Sequence, residues 1–387
     1  MATETSRAVF DHADAGRRKA PFRFFDNREK YLQFVYTCNE KQVIADRIAR
    51  ETRHIQPVQP ALRLFDAGMG NATVLTRVMR QLHHRHPTVP FLIVGKEISQ
   101  EDVRLSLEKM ADRFFEHPQT VLVVTNMFYS EAPWLYPNTE ANRAKLNWVE
   151  VPLKGSTAHD FDRQIRELEP DLQEWWQTRP SMAGNPVYVT PSVLILYRQD
   201  QAWPLAPIIP RKLERDSQYD IVIAAQPYRA KQPAEVKLRK VLAPLARSLA
   251  SGGCMVVIQS TGKDPGMEII RKIWPEEDPF TTPRQALLRE MRAQLGESNP
   301  SLRYLSYRDS QAEFRYELQV GPSEIASSIG TSTILAAWNA ATYVAQIEDE
   351  HLREAMSHGA YLDATRDVLR RYSGLWFVDE SFVVARP

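Results

Sequence analysis

"LFDAGMGNATVL", residues 64–75, decides the fold. An apolar run ends in an acid, two glycines follow, and apolar residues then recur at helical spacing, so the stretch reads as a strand, a tight turn and the start of a helix. Glycines at such a turn let a ligand approach the backbone amides at the helix N-terminus. Dinucleotide sites use G-x-G-x-x-G and lay a pyrophosphate there; here Gly68 and Gly70 are present, but Thr73 holds the third position. Asp66 at the strand tip would repel phosphates at a cost of ~1 kcal/mol or more, and it would welcome a cationic amino group. S-adenosyl-L-methionine brings such a group on its methionine part and has no phosphate. The turn therefore argues for a sulfonium donor and against NAD.

The same alternation runs outward from this unit. "ALRLFD" is a strand, with a helix from Asn71 to Leu82; "FLIVGKE" is a second strand, with a helix from Gln100 to Phe115; "TVLVVTN" is a third. "YDIVIAAQ" repeats the pattern, followed by a helix from Glu235 to Leu249, a Gly252–Gly253 turn and the strand "CMVVIQS". Near-continuous apolar strands between helices predict a doubly wound α/β, mostly parallel Rossmann-like sheet covered on both faces. An acid after the second strand faces the ligand edge of such a sheet, and Glu97 stands there, placed to accept ribose hydroxyls. Asn126 after the third strand is placed to meet a base, with Met127 as an apolar wall.

Composition sets the remaining bounds. With 43% hydrophobic and 25% charged residues among 387, the chain is an ordinary globular protein. A net charge of +1 gives no drive toward nucleic acid or an anionic membrane, and clusters such as Arg17, Arg18 and Lys19 read as solvated surface. Cys38 and Cys254 are the two cysteines and form no disulfide framework or metal-ligand spacing. His83, His84 and His86 read as a solvated loop, and no metal is expected. The N-terminus lacks the apolar run of a signal peptide and no stretch is long enough to span a bilayer, so a reduced, cytoplasmic setting is expected.

The series "LFDAGMGNA", "VGKEIS", "VVTNMF", "YDIVIAAQPY" and "LAPLARSLASGGCMVVIQS" resembles the ordered motifs of the class I S-adenosylmethionine-dependent methyltransferases, over roughly residues 61–129 and 217–262. The terminal "FVVARP" is similar to that family's last strand. The resemblance implies a seven-stranded sheet in which Asp66, Gly68 and Gly70 hold the methionine part, Glu97 the ribose, and Asn126 with Met127 the adenine. Asn71, Ile98 and Gln226 complete the donor-binding set. "AAQPY" stands where some members carry Asn/Asp-Pro-Pro-Tyr for planar amino groups; with Ala225 and Gln226 in the leading positions, Pro227 reads as a strand end and Tyr228 as packing, though Tyr228 stays among the acceptor-side candidates.

Residues 1–22 read as a disordered tail and 23–60 as a helical arm, whose break at "FVYTCNE" reads as a plain helix–helix turn. Residues 61–129 and 217–387 form the donor-binding domain, ending in helices from Thr333 to Ile347 and from His351 to Tyr372. Residues 130–216, rich in proline and tryptophan with a helix from Asp160 to Trp176, form an insertion after the third strand. It leaves the sheet at its ligand edge and is expected to arch over the donor as a substrate cover, with Trp134 and Tyr136 nearest. Methyl transfer is an in-line displacement in which the protein aligns the reactants and excludes water, so no general base need be visible and no catalytic residue is assigned. The expected function is methylation of a small organic metabolite. Protein or RNA methylation and a non-catalytic scaffold of the same fold are the alternatives, and a homodimer is an assembly the sequence permits.

Overall fold

A computed structural model describes residues 28–182, 184–215, 218–305, 307–320, 324–325 and 329–387. The expected tail, residues 1–22, and the start of the arm lie outside them. Two helices, α1 (Arg28–Thr37) and α2 (Glu40–Glu51), precede the first strand. The strands are β1 (Leu62–Asp66), β2 (Phe91–Lys96), β3 (Thr120–Thr125), β4 (Asn147–Leu153), β5 (Thr178–Pro180), β6 (Pro186–Tyr188), β7 (Ser192–Arg198), β8 (Tyr219–Ala225), β9 (Leu249–Ser260), β10 (Arg303–Leu305), β11 (Glu313–Glu317) and β12 (Trp376–Arg386).

One sheet runs in the order β10-β12-β9-β8-β1-β2-β3-β7-β4, with β11 also paired to β12. β3, β2, β1, β8 and β9 are parallel, as their apolar runs require, and β12 enters antiparallel beside β9. This is the Rossmann-like α/β fold. It is larger than the expected seven strands, because β7 and β4 of the insertion add to the β3 edge and β11 pairs with β12, which makes ten among the described residues. β7 ("SVLILYR") is buried along its whole length: β3 and β4 satisfy its backbone on either edge, and its side chains enter the cores on both faces of the sheet.

Each face of the sheet carries its own core. On one, α2, α3 (Thr73–Arg85) and the insertion's Phe161, Ile165, Leu172 and Trp176 pack on Leu64, Ile93, Leu122 and Ile223. On the other, the Arg284–Leu295 helix and the insertion's Ala132, Leu135, Leu205 and Ile208 cover Phe65, Val123, Val222 and Val257. A third cluster joins α1 to the Pro265–Ile273 and Thr331–Val344 helices through Phe34, Tyr316 and Phe377.

Several helices are shorter than the periodicity implied. The insertion's helix divides into Ala158–Arg166 and Glu169–Trp175, the second with Pro170 in its first turn. The last long helix divides into Asp349–His358 and Ala360–Tyr372 at Gly359, whose φ of 71° lies in the left-handed region. The expected histidine loop is also corrected: α3 runs on to Arg85, so His83 turns inward, where its ring stacks on His117 at 4.7 Å. Both cysteines are buried; Cys38 sits where the end of α1 bridges Leu318, and Cys254 lies within β9. Burial, first of all, pushes each thiol up to about 12.

A buried polar knot fastens the far side of the sheet. Glu380 on β12 accepts from the Arg284 guanidinium at 2.7 Å, from the Arg284 backbone N–H at 2.8 Å and from the Gln259 amide at 2.8 Å. Removing the acid leaves the buried Arg284 N–H without its acceptor and the guanidinium with Asp309 and the Tyr307 carbonyl as its remaining partners. Glu380→Ala is expected to lower stability by about 1–3 kcal/mol in denaturant unfolding.

Candidate functional site

The carboxyl ends of β1 and β8 and the turn after β1 form one wall of a cavity of about 50 Å³. That wall consists of Asp66, Gly68, Met69, Gly70 and Asn71 on one side and Ile223, Ala225 and Gln226 on the other. Two glycines make the turn possible. Gly70 has φ +51°, and a Cβ there would stand 3.3 Å from the Tyr31 hydroxyl. Gly95 on β2 leaves room for Met69, whose sulfur would lie 2.5 Å from a Cβ. Around Gly68 a Cβ would meet nothing within 4 Å, so the turn presents open backbone there.

Glu97 shapes the turn as well as facing it. Its carboxylate accepts from Gly70 N–H at 2.8 Å, Ile98 N–H at 2.7 Å and Ser99 N–H at 2.9 Å, so it bridges the tip of β2 to the glycines. Asn71, just before the start of α3, accepts from the Thr73 N–H at 3.2 Å, and its carbonyl takes the Lys109 ammonium at 2.5 Å. Asp66 is nearly fully buried, and burial raises its carboxyl to about 7; Glu97 pushes the same way, while the Gly68 N–H and Lys41 oppose.

The opposite wall comes from the helical arm rather than from the insertion. Tyr31 of α1 and Lys41 and Ile44 of α2 close the cavity, flanking the "YTCNE" break that reads as a plain turn in the sequence. No described residue of 130–216 is among the cavity's lining residues. Burial works against the Lys41 charge, but the Glu40 carboxylate at 2.7 Å prevails and keeps its pKa above the ordinary lysine value. Sequence reasoning missed these two residues; the signal was a tyrosine and a lysine either side of a helix break, which the packing of α1 on the Thr331–Val344 helix and of α2 on α3 turns toward the glycines.

The other singled-out residues have defined places. Asn126 donates to the carbonyls of Trp175 (3.3 Å) and Thr190 (3.0 Å) and accepts from the Ser192 N–H at 2.8 Å, so its amide ties the insertion to the tip of β3. Met127 is wholly buried in the core beneath. Trp176 of the insertion donates its indole N–H to the Glu97 carbonyl at 2.9 Å. Trp134 and Tyr136 lie under the Arg215 guanidinium, and Tyr228 bonds Gln259 at 2.9 Å; none of the three lines the cavity. A wider depression of about 580 Å³, over Arg80, Gln81, His84 and Arg85, is an open dish on α3 remote from the strand tips. Among the described residues no group of His, Cys, Asp or Glu is arranged to hold a metal, and no helix is long and apolar enough to cross a membrane.

No protein-family model and no curated protein matches the chain. Solved structures do resemble it. Loganic acid methyltransferase with SAH shares 9% identity over 95% of this chain and 98% of that one, with a TM-score of 0.38. Geranyl diphosphate methyltransferase in complex with SAM shares 12% over 90% and 91%, with a TM-score of 0.32. Phosphoethanolamine N-methyltransferase 2 of Haemonchus contortus, in complex with S-adenosyl-L-methionine, shares 9% over 90% and 52%, with a TM-score of 0.30.

The Asn126 geometry gives a test of its own. Asn126→Ala leaves the buried Ser192 N–H without its acceptor and the Trp175 and Thr190 carbonyls with the Ser192 hydroxyl alone, and is expected to cost about 1–3 kcal/mol in thermal or denaturant unfolding.

Proposed function

We propose that the chain is an S-adenosylmethionine-dependent methyltransferase acting on a small organic acceptor. The observation that carries this reading is a buried carboxylate, Asp66, at the tip of the first parallel strand beside a glycine turn with open backbone at Gly68. Phosphate is excluded from such a corner by charge, whereas an amino-acid ammonium is matched to it.

The residues present fit that donor. Bound, it supplies a methyl group on a sulfonium, ready for in-line displacement. Asp66 receives the ammonium, and the open backbone at Gly68 lets the donor's carboxylate approach the turn. Glu97, already fixed by three backbone N–H groups, holds the turn rigid and offers its remaining lone pairs to hydroxyls. Tyr31 and Lys41 exclude water from above. Ligand pockets span about 300–1,000 Å³, so the cavity of about 50 Å³ must widen to admit the donor. The arm is the wall that gives, because the opposite wall is sheet. Trp134, Tyr136 and Tyr228 lie outside the cavity, so acceptor contact at any of them also requires the widened site. The near-neutral charge favours a small acceptor over RNA.

Isothermal titration is expected to show binding of S-adenosylmethionine and of its demethylated product, with NAD not binding at the same concentrations; NAD binding without sulfonium binding overturns the reading. Asp66→Ala should weaken the donor about tenfold or more, since a charge-assisted hydrogen bond is lost. With its carboxyl at about 7, Asp66 is mostly protonated at pH 6 and mostly ionised at pH 8, so donor affinity should rise severalfold from pH 6 to about pH 7.5 and level off as the donor's own ammonium loses its proton near pH 8. The same shift acts oppositely on stability. The unfolded chain releases this proton first, so the Asp66 contribution falls as pH rises from about 4 to about 7, which denaturant titrations on wild type and Asp66→Asn would separate.

A further inference from the structure

Gln226, the residue after β8, lines the cavity with a backbone φ of +52°, a conformation costly for a side-chain-bearing residue. Such strain persists where surrounding structure holds it. Here the holder is visible: the Gln226 amide nitrogen donates to Ser260 Oγ at 2.9 Å and to Asp379 Oδ2 at 3.3 Å. Ser260 and Asp379 stand opposite each other in the β9–β12 ladder, so the pair is a rigid fixture of the sheet. Both amide hydrogens are thereby spent on Ser260 and Asp379. Oε1 is the atom left to meet a ligand, and it can only accept.

The charge around it has one sign. Asp379, Asp264, Glu40 and Asp66 crowd this corner against a single ammonium, Lys41. Two polar atoms behind Gln226 have no protein partner although their residues are fully buried: Asp379 Oδ1 and the Tyr316 hydroxyl. A hydrogen-bond acceptor at the cavity wall, backed by buried acids that an arriving cation would draw into their ionised form, suits a group that brings N–H and positive charge.

Resting on methyl transfer as the function, we infer that the methyl acceptor is an amine whose N–H is received by Gln226 Oε1, and that Asp379 and Ser260 are positioning residues that aim this oxygen. The amine reacts as the free base, having given one proton to solvent. Its lone pair forms the N–C bond while the C–S bond breaks, the bonding pair passing to a neutral thioether. The positive charge moves from sulfur to the methylammonium product and stays beside the same carboxylates. A carboxylate acceptor, by contrast, would meet both the amide oxygen and the acidic corner with repulsion.

The test uses the full chain with radiolabelled S-adenosylmethionine. The acceptors are phenethylamine, cyclohexylamine, putrescine and a library of primary and secondary amines, beside the matched alcohols and carboxylic acids. Donor binding is titrated first; its absence overturns methyl transfer itself and this inference with it. Given donor binding, label is expected in amines alone. Gln226→Met should then lower kcat/KM for the best amine at least about tenfold when measured at saturating donor, and weaken that amine's binding without donor. Gln226→Ala should repeat the pattern if the longer side chain disturbs the arm. Preferred labelling of acids or alcohols, labelling of no amine, or variants that treat the amine as wild type does would overturn the assignment while leaving methyl transfer standing.

Discussion

The Glu97 carboxylate is the contact from which the site is built. A parallel strand ends with its last N–H groups unpaired, and a glycine turn adds more; in a buried corner each would cost free energy of the order of a lost hydrogen bond. One carboxylate takes three of them, from Gly70, Ile98 and Ser99, and so locks the exits of β1 and β2 to each other. With that lock in place Asp66 is held under the arm at a fixed distance from solvent, and its burial follows. An isolated anion there is expensive, which is why its proton is held so firmly and why a cation is the natural complement.

Much of this was legible in the sequence because parallel strands buried on both faces leave a plain trace. "RLFD", "FLIVG", "VLVVT", "DIVIAA" and "CMVVIQ" are apolar at every second and nearly every intervening position, and each became a central strand. The terminal strand was visible for the same reason. "VLILY" carries an identical trace, yet nothing in it says whether it roofs the ligand edge or extends the sheet. Pairing partners are long-range facts, and β7 found its partner in β3 across 67 residues, as the Thr125 hydroxyl bonded to the Ser192 carbonyl shows.

The polar residues divide in the same way. Asp66, Gly68 and Gly70 could be placed on the turn from the sequence because that turn is local to a few residues. Asn126 occupies the expected strand tip, but its hydrogen bonds run to residues 49 to 66 positions away. Lys41 and Tyr31 lie before the first strand and reach the cavity only through the packing of α1 on the Thr331–Val344 helix and of α2 on α3. His83 was misplaced by three residues of helix length, enough to turn a surface position into a core one.

The two cysteines give the molecule a pair of independent reporters. Each is a shielded thiol that burial keeps protonated at neutral pH, so an alkylating reagent meets thiolate only after local opening. Cys38 belongs to the arm and Cys254 to the middle of the sheet. The rate at which the first reacts clocks the parting of the arm from the strand tips, and the rate at which the second reacts clocks the loss of the whole fold. The ratio of the two rates measures, in a single unmodified chain, how much more readily the roof lifts than the house falls.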